Sequence, residues 1–265
     1  MAGQGRNAIS PAQLTEFLDV GVSIAEEAGG IAASYFRAGV SVELKDDRSP
    51  VTRADRESEE LIRARLSNFY PEHGILGEEF GETRPESAFR WVVDPIDGTL
   101  SFVSGIPLFT TLLALLFNGE PVLGVIHNPM LSETVSAATD CGCRLNGEPC
   151  HVSDRRDLGE ARLLVTDFAD FYQRRPEQAG AIYERAPFAR TWADGYGYAL
   201  VASGRAEVMI DPIVHTWDVA PMLPILTEAG GRLTSLDGEE SGLPGTVLAT
   251  NGFLHEQCLS SARKE

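Results

Sequence analysis

From Leu14 to Phe36 the apolar residues Leu14, Phe17, Leu18, Ile24, Ala25, Ala28, Ile31 and Phe36 follow a helical period, with Gly21, Gly29 and Gly30 on or near the same face. The spacing predicts a long helix with one side in a core and Glu16, Asp19 and Glu26 on the solvated side. Ser10 suits its N-cap, Pro11 its first turn, and Gln13 can reach back to complete a capping box. Val40 to Leu44 alternates as a short strand, and Lys45 and Pro50 punctuate the loop after it. Thr52 and Asp55 then have capping-box spacing for a second helix through Leu61, Ile62 and Leu66, in which Glu59 and Glu60 are expected as acids of the first turn.

A run of strand patterns follows. Gly74–Gly77 reads as a short buried strand ending in Glu78-Glu79-Phe80, and Trp91-Val-Val93 as another that delivers Asp94 to its carboxyl end. Residues between Phe80 and Phe89 read as a polar loop, and Pro95 is expected to turn the chain out of the sheet, setting Ile96 and Asp97 in a tight loop. Leu108–Phe117 and Pro121–His127 form a hairpin through Asn118-Gly119, and Glu133–Ala138 extends the sheet. Beyond a polar, turn-rich stretch the pattern changes to alternating strand and helix: Ala161–Val165, Pro176–Glu184, Gly195–Gly204, Val208–Ile210, and a helix after Asp218 stopped by Gly230-Gly231. Arg232–Thr234 and Val247–Thr250 close as strands, so a partly parallel sheet flanked by helices is expected. The division is an N-terminal α+β half over 1–154 and a C-terminal α/β half over 155–265. Phe168–Arg174 and the 78–90 loop are candidate lids.

Composition narrows the function. The 39 acids against 22 bases give a net charge of −17, which disfavours nucleic acid and anionic membrane as partners and suits a cation site. Residues 1–30 carry no signal-peptide pattern and no apolar run approaches membrane-spanning length, so a cytoplasmic location is expected. Cys141, Cys143, Cys150 and Cys258 read as ordinary thiols, because the spacing offers no second pair for zinc.

Glu78, Asp94, Asp97 and Asp218 each stand where an apolar element ends. Locally, three of them have a simpler reading: Asp94 and Asp97 as parts of an Asp-Pro turn closed by Gly98, Asp218 as a helix cap. If the four converge, their mutual repulsion demands a cation. Oxygen ligands without His or Cys select a hard ion, Mg²⁺ first and Mn²⁺ second. Two such ions, about 3.5–4 Å apart, would clamp an in-line displacement at phosphorus, which points to hydrolysis of a phosphate ester. Gly98 lets backbone approach a ligand, and the Thr99 hydroxyl stands beside N–H groups able to hold an oxyanion.

Trp91-Val-Val-Asp-Pro-Ile-Asp-Gly-Thr99, Gly77-Glu-Glu79, Pro50-Val-Thr-Arg-Ala-Asp55 and Trp217-Asp-Val-Ala220 followed by Glu228-Ala-Gly-Gly231 resemble the inositol monophosphatase family of Mg²⁺-dependent, lithium-sensitive phosphatases, in the family's order and over nearly the whole chain. The resemblance implies a layered αβαβα sandwich and a homodimer. It places a first metal on Glu78, Asp94 and the Ile96 carbonyl, a second on Asp94, Asp97 and Asp218, and a third, weaker ion near Glu78. It makes Thr99, Asp55 and Glu78 the catalytic group, with Asp55 orienting the Thr99 hydroxyl toward the attacking water, and the Gly98 and Thr99 N–H groups holding the phosphate. Lys45 resembles the family's loop lysine near the metals. The run Asp194-Gly-Tyr-Gly-Tyr198 and the segments Asp211–Asp218 and Leu248–His255 look like the histidinol-phosphate phosphatase branch. There Asp211 and Asp194 would pair with a substrate ammonium. Leu100-Ser101 departs from that branch, which commonly has Lys and then Asn or Ser. The alternatives are an inositol-1-phosphate or broad sugar-phosphate phosphatase, and a non-catalytic regulatory paralogue.

Overall fold

The structure is a computed structural model that describes residues 9–39, 41–45, 50–192, 194–239 and 245–262. Val40 and the loop between Lys45 and Pro50 lie outside the described residues. The first helix, α1 (Pro11–Tyr35), starts where Ser10 Oγ accepts from Gln13 N at 3.3 Å, and buries the expected face from Leu14 through Ala32. A ribbon of the exposed β1 (Val42–Leu44) and the largely buried β2 (Pro50–Thr52) leads into α2 (Arg53–Phe69), whose Thr52–Asp55 capping box is formed in both directions.

The next strands are β3 (Gly74–Gly77), β4 (Gly81–Thr83) and β5 (Phe89–Asp97), followed by the one-turn α3 (Thr99–Val103). β6 (Thr110–Phe117), β7 (Glu120–Asn128), β8 (Glu133–Ala138), β9 (Cys143–Leu145) and β10 (Glu148–Pro149) complete an eight-stranded sheet in the order β10-β9-β8-β7-β6-β5-β3-β4. Asn118 and Gly119 close the β6–β7 hairpin with positive φ of 52° and 89°, the left-handed pair that a two-residue turn needs. The region expected as loop after Glu78 contains β4, antiparallel to β3.

The second sheet collects β11 (Arg162–Val165), β12 (Phe188–Arg190), β13 (Val208–Val214), β14 (Arg232–Ser235) and β15 (Gly245–Thr250) in the order β12-β11-β13-β15-β14. The β12, β11 and β13 pairings are parallel and the rest antiparallel, as the alternating pattern anticipated. Its helices are α4 (Phe168–Arg174), α5 (Pro176–Arg185), α6 (Gly195–Ala202), α7 (Thr216–Val219), α8 (Met222–Ala229) and α9 (His255–Ala262). Three details differ from expectation. The helix after Asp218 is two helices, because Pro221 cannot supply the N–H that would continue α7. The candidate lid at Phe168–Arg174 is α4, anchored by the fully buried Phe171. The closing helix α9 went unread because the short apolar pattern there resembles a tail.

These elements stack in five layers. α1 and α2 cover one face of the first sheet through a core that includes Phe17, Ile62, Trp91 and Leu115. α6 and α8 lie between the sheets, joining Leu112 and Ile126 of the first to Met209 and Val247 of the second. α5 and α9 close the far side of the second sheet over Phe171, Ile182 and Leu248. A strand between two helical layers has no solvated face, which is why Thr110–Leu116 is buried at every position and reads as a continuous apolar run rather than an alternation.

Candidate active site

The site forms where β5 ends. Asp94 pairs with Leu112 and Asp97 with Thr110, so two residues on β5 face one on β6. Residues three apart on a regular strand point to opposite faces; the extra residue of this bulge brings Asp97 round to the side of Asp94. Pro95 therefore does not leave the sheet. It sits in the bulge, where its missing N–H costs no ladder bond, and its carbonyl accepts from Thr111 Oγ1 at 2.9 Å. Gly98 follows at φ 80°, ψ 41°, a left-handed conformation that lets α3 begin at Thr99.

Asp218 arrives from α7, which follows β13 of the second sheet. Its Oδ2 accepts from His215 N at 2.6 Å, so it does cap α7, and this fixes its carboxylate toward β5. Ligand oxygens of Asp94, Asp97 and Asp218 all lie within 4.8 Å of one another. Asp94 Oδ1 also accepts from Ile96 N at 3.0 Å, and Asp97 Oδ2 accepts from Thr110 Oγ1 at 2.9 Å and from the Gly195 N–H. A Cβ on Gly195 would stand 2.6 Å from both Asp97 Oδ2 and Thr110 Oγ1, so this approach requires glycine.

Burial and crowding make the cluster electrostatically costly without a cation. Burial raises Asp97 to about 8, reinforced by the neighbouring Asp194 charge, and raises Asp218 to about 7, reinforced by Asp97. Asp94 is pushed well above the usual carboxylate range, first by burial and then by Glu78, Asp97 and Asp218. One buried and two partly buried acids with too few donors to satisfy them, and no basic side chain hydrogen-bonded to them among the described residues, fit the donor set of a hard divalent ion.

Glu78 lies beyond β3, at hydrogen-bonding reach of Asp94. It is not within the tight group of three. Its Oε1 accepts from Lys45 Nζ at 2.6 Å, and Glu79 Oε1 accepts from the same ammonium at 2.6 Å. Burial alone would lower Lys45, but these two bonds outweigh it and raise it. Burial also lifts Glu79 to about 7, with Lys45 opposing. Asp55 is buried at 2 % exposure; its Oδ2 accepts from Thr52 N and Oγ1, while Oδ1 stands 3.4 Å from Thr99 Oγ1. Thr99 Oγ1 is also 3.0 Å from the Ile96 carbonyl, so one hydroxyl spans Asp55, expected to be catalytic, and the expected carbonyl ligand.

The two acids assigned to substrate are there as well. Asp194 precedes α6 at φ 58°, ψ −158°, and its Oδ2 would be 2.8 Å from a Cβ on Gly98. Burial raises it to about 6, reinforced by Asp218. Asp211 lies inside β13 rather than beyond the strand, buried at 6 %, with Tyr198 Oη 3.5 Å from its Oδ2. Leu100 is 70 % exposed at the rim. The sequence reading missed Thr110, Gly195 and Tyr198, and it misassigned Glu59. Glu59 is not a first-turn acid but a fully buried one, four residues after Asp55 on the same face of α2, and that spacing was the available signal.

The four cysteines are free thiols, with Cys143 and Cys150 sulfurs 3.5 Å apart, and the metal-ligand group found among the described residues contains none of them. No helix among the described residues is long and apolar enough to cross a membrane.

The model of the inositol monophosphatase family matches residues 13–265. The chain belongs to the inositol monophosphatase family. As a member it is a phosphoric monoester hydrolase, of a Mg²⁺-dependent family that acts on small phosphate esters. A histidinol-phosphatase from Chlorobaculum parvum is 39 % identical over 89 % of this chain and 92 % of its own. An inositol-1-monophosphatase from Synechocystis is 31 % identical over 97 % and 92 %. The crystal structure of extragenic suppressor protein suhB from Bartonella henselae superposes with a TM-score of 0.89 at 28 % identity, covering 94 % of this chain and 99 % of that one. The layered α/β sandwich is thus the family fold.

Proposed function

We propose that this phosphatase hydrolyses histidinol phosphate, as a cytoplasmic enzyme of histidine biosynthesis. The observation that carries the reading is the surplus of acid: beyond Asp94, Asp97, Asp218 and Glu78, two more carboxylates, the partly buried Asp194 and the buried Asp211, stand close enough to Asp218 to feel its charge. Metal binding does not need them, and an uncharged polyol would leave them unpaired, whereas a substrate ammonium neutralises them. The similarity to a histidinol-phosphatase at 39 % identity supports the same reading. A second reading, an inositol-1-phosphate or broad sugar-phosphate phosphatase, is favoured by the exposed, uncharged Leu100 at the rim and by the relative of that name.

In this reading Glu78, Asp94 and the Ile96 carbonyl hold one Mg²⁺, and Asp94, Asp97 and Asp218 a second. A third, weaker site lies near Glu78, and Mn²⁺ can substitute. Bound there, the ions supply Lewis-acid stabilisation of the phosphoryl charge and lower the pKa of water. The chain does the rest. Asp55, held by Thr52, accepts a hydrogen bond from the Thr99 hydroxyl, which leaves the lone pairs of the Thr99 oxygen to accept one from the attacking water and so orient it. The Gly98 and Thr99 N–H groups hold the phosphate, and Asp194 and Asp211 hold the ammonium.

The test is phosphate release from histidinol phosphate and from inositol 1-phosphate, side by side, with Mg²⁺ and then with chelator. Strong preference for histidinol phosphate, abolished by chelation, is the expected result. Preference for inositol 1-phosphate keeps the metal site and overturns the substrate.

A further inference from the structure

Helix α2 carries two buried acids one turn apart, and only the first, Asp55, has a place in the chemistry. The second, Glu59, has 0 % exposure and is oriented as deliberately. Its Oε2 accepts from the Glu79 backbone N–H at 2.8 Å; its Oε1 accepts from the Phe80 N–H at 3.2 Å and from Arg63 Nε at 2.7 Å. Arg63 in turn donates to the Gly81 carbonyl, which closes the turn between β3 and β4 from its other end. Every oxygen of this buried carboxylate is therefore spent on the segment 79–81, the segment that follows Glu78 directly. A side chain at Gly77 would overlap the Glu59 carboxylate, so the approach is tight on both sides of Glu78. The helix is a firm base for the tether, because Ser58 Oγ donates to Ala28 O of α1 at 3.2 Å.

We propose that Glu59 is a positioning residue for metal binding: by fixing the backbone of Glu79 and Phe80 it aims the adjoining Glu78 carboxylate at the cation site. Asp55 and Glu59 then make α2 a single rigid ruler, with Asp55 setting Thr99 and Glu59 setting Glu78 at the end of β3. The inference rests on the reading of Glu78 as a metal ligand. Glu59 itself does not touch the ion. Its two backbone donors and Arg63 neutralise it, which is how a carboxylate can be fully buried so near other acids without joining their repulsion.

The conservative change Glu59→Gln keeps shape but must turn an amide N–H toward a backbone N–H or toward Arg63, which breaks one end of the tether. Isothermal titration of the purified protein with Mg²⁺ alone reads the result without reference to turnover. The expected outcome is a Mg²⁺ dissociation constant weakened about 10-fold or more, with kcat at saturating Mg²⁺ within a few-fold of the parent. A tether that serves only the fold would lower the melting temperature and leave Mg²⁺ affinity unchanged; a folded Glu59→Gln protein with the parent's affinity overturns the proposal. Should that variant not fold, Arg63→Gln loosens the same carboxylate more gently, and a Mg²⁺ affinity unchanged there overturns the proposal equally. Asp94→Asn separates this inference from the one beneath it. If Asp94→Asn abolishes Mg²⁺ binding while Glu59→Gln does not weaken it, the role of Glu59 fails and the metal site stands; if Asp94→Asn binds Mg²⁺ normally, the metal site itself fails.

Discussion

Asp194 joins two features that one substitution can separate. Its backbone lies at φ 58°, ψ −158°, a region that only glycine occupies without strain, and residues held there cost roughly 1–3 kcal/mol. Its carboxylate is also pressed among the charges of Asp97 and Asp218. Asp194→Gly removes both burdens, at an entropic cost for the added glycine of about 0.5–1 kcal/mol. The expected net gain is roughly 1 kcal/mol of stability, which for a domain of this size raises the melting temperature by about 2–4 °C. The same change deletes a charged partner of the substrate ammonium, and hydrogen bonds to charged groups contribute about 1.5–3 kcal/mol. That converts to a fall of roughly 10- to 150-fold in kcat/KM for histidinol phosphate. Asp194→Asn keeps the strained backbone and the shape but not the charge, so it should show the kinetic loss without the full gain in stability. Thermal melts and phosphate release on both substrates measure all of this, with inositol 1-phosphate as the control that should not fall. A lower melting temperature for Asp194→Gly refutes the strain argument. Full kcat/KM for histidinol phosphate in Asp194→Asn refutes the charge pairing.

Asp94→Asn should keep the fold and lose Mg²⁺-dependent hydrolysis by more than the ~10–100-fold typical of residues outside the ligand set, as a phosphate-release assay at saturating Mg²⁺ will read. Gly124→Ala puts a Cβ against the Pro221 carbonyl between β7 and α8, where backbone on both sides cannot yield, and should cost about 1–3 kcal/mol in a denaturant melt. His255 is a buried neutral imidazole: Thr234 donates to Ser235 O and so accepts from Nε2–H, while Gly252 N donates to Thr250, whose hydroxyl is left to donate to Nδ1. Burial lowers its pKa to about 4, so its contribution to stability is fully present above about 6.5 and is lost as pH falls from there toward 4. Melts of the parent and His255→Gln over that window should diverge, the parent losing stability faster; parallel curves would refute the assignment.

Much of the site was readable in one dimension because local chemistry announces it. An apolar run that stops at a carboxylate marks a strand end at Gly77-Glu78, whereas at Val93-Asp94 it marks the bulge through which β5 continues to Asp97. Asn118-Gly119 specified its hairpin through left-handed backbone alone, and the Thr52–Asp55 capping box through side chains three residues apart. Chain order and motif spacing together carried the family, hence the layered fold. What the chain could not declare was direction and company. The bulge that turns Asp97 to the side of Asp94 exists only because β5 must stay in register with β6 on either side of it. The Gly195 N–H reaches Asp97 across 98 positions, and Asp218 meets both acids only once α8 is packed between the sheets. Glu59 read as a first-turn acid of α2 because its partners, the backbone of Glu79 and Phe80, become its neighbours only in the folded molecule. Periodicity and capping are short-range and survive in sequence, whereas burial, convergence of charge and long-range hydrogen bonds are created by packing and appear only with it.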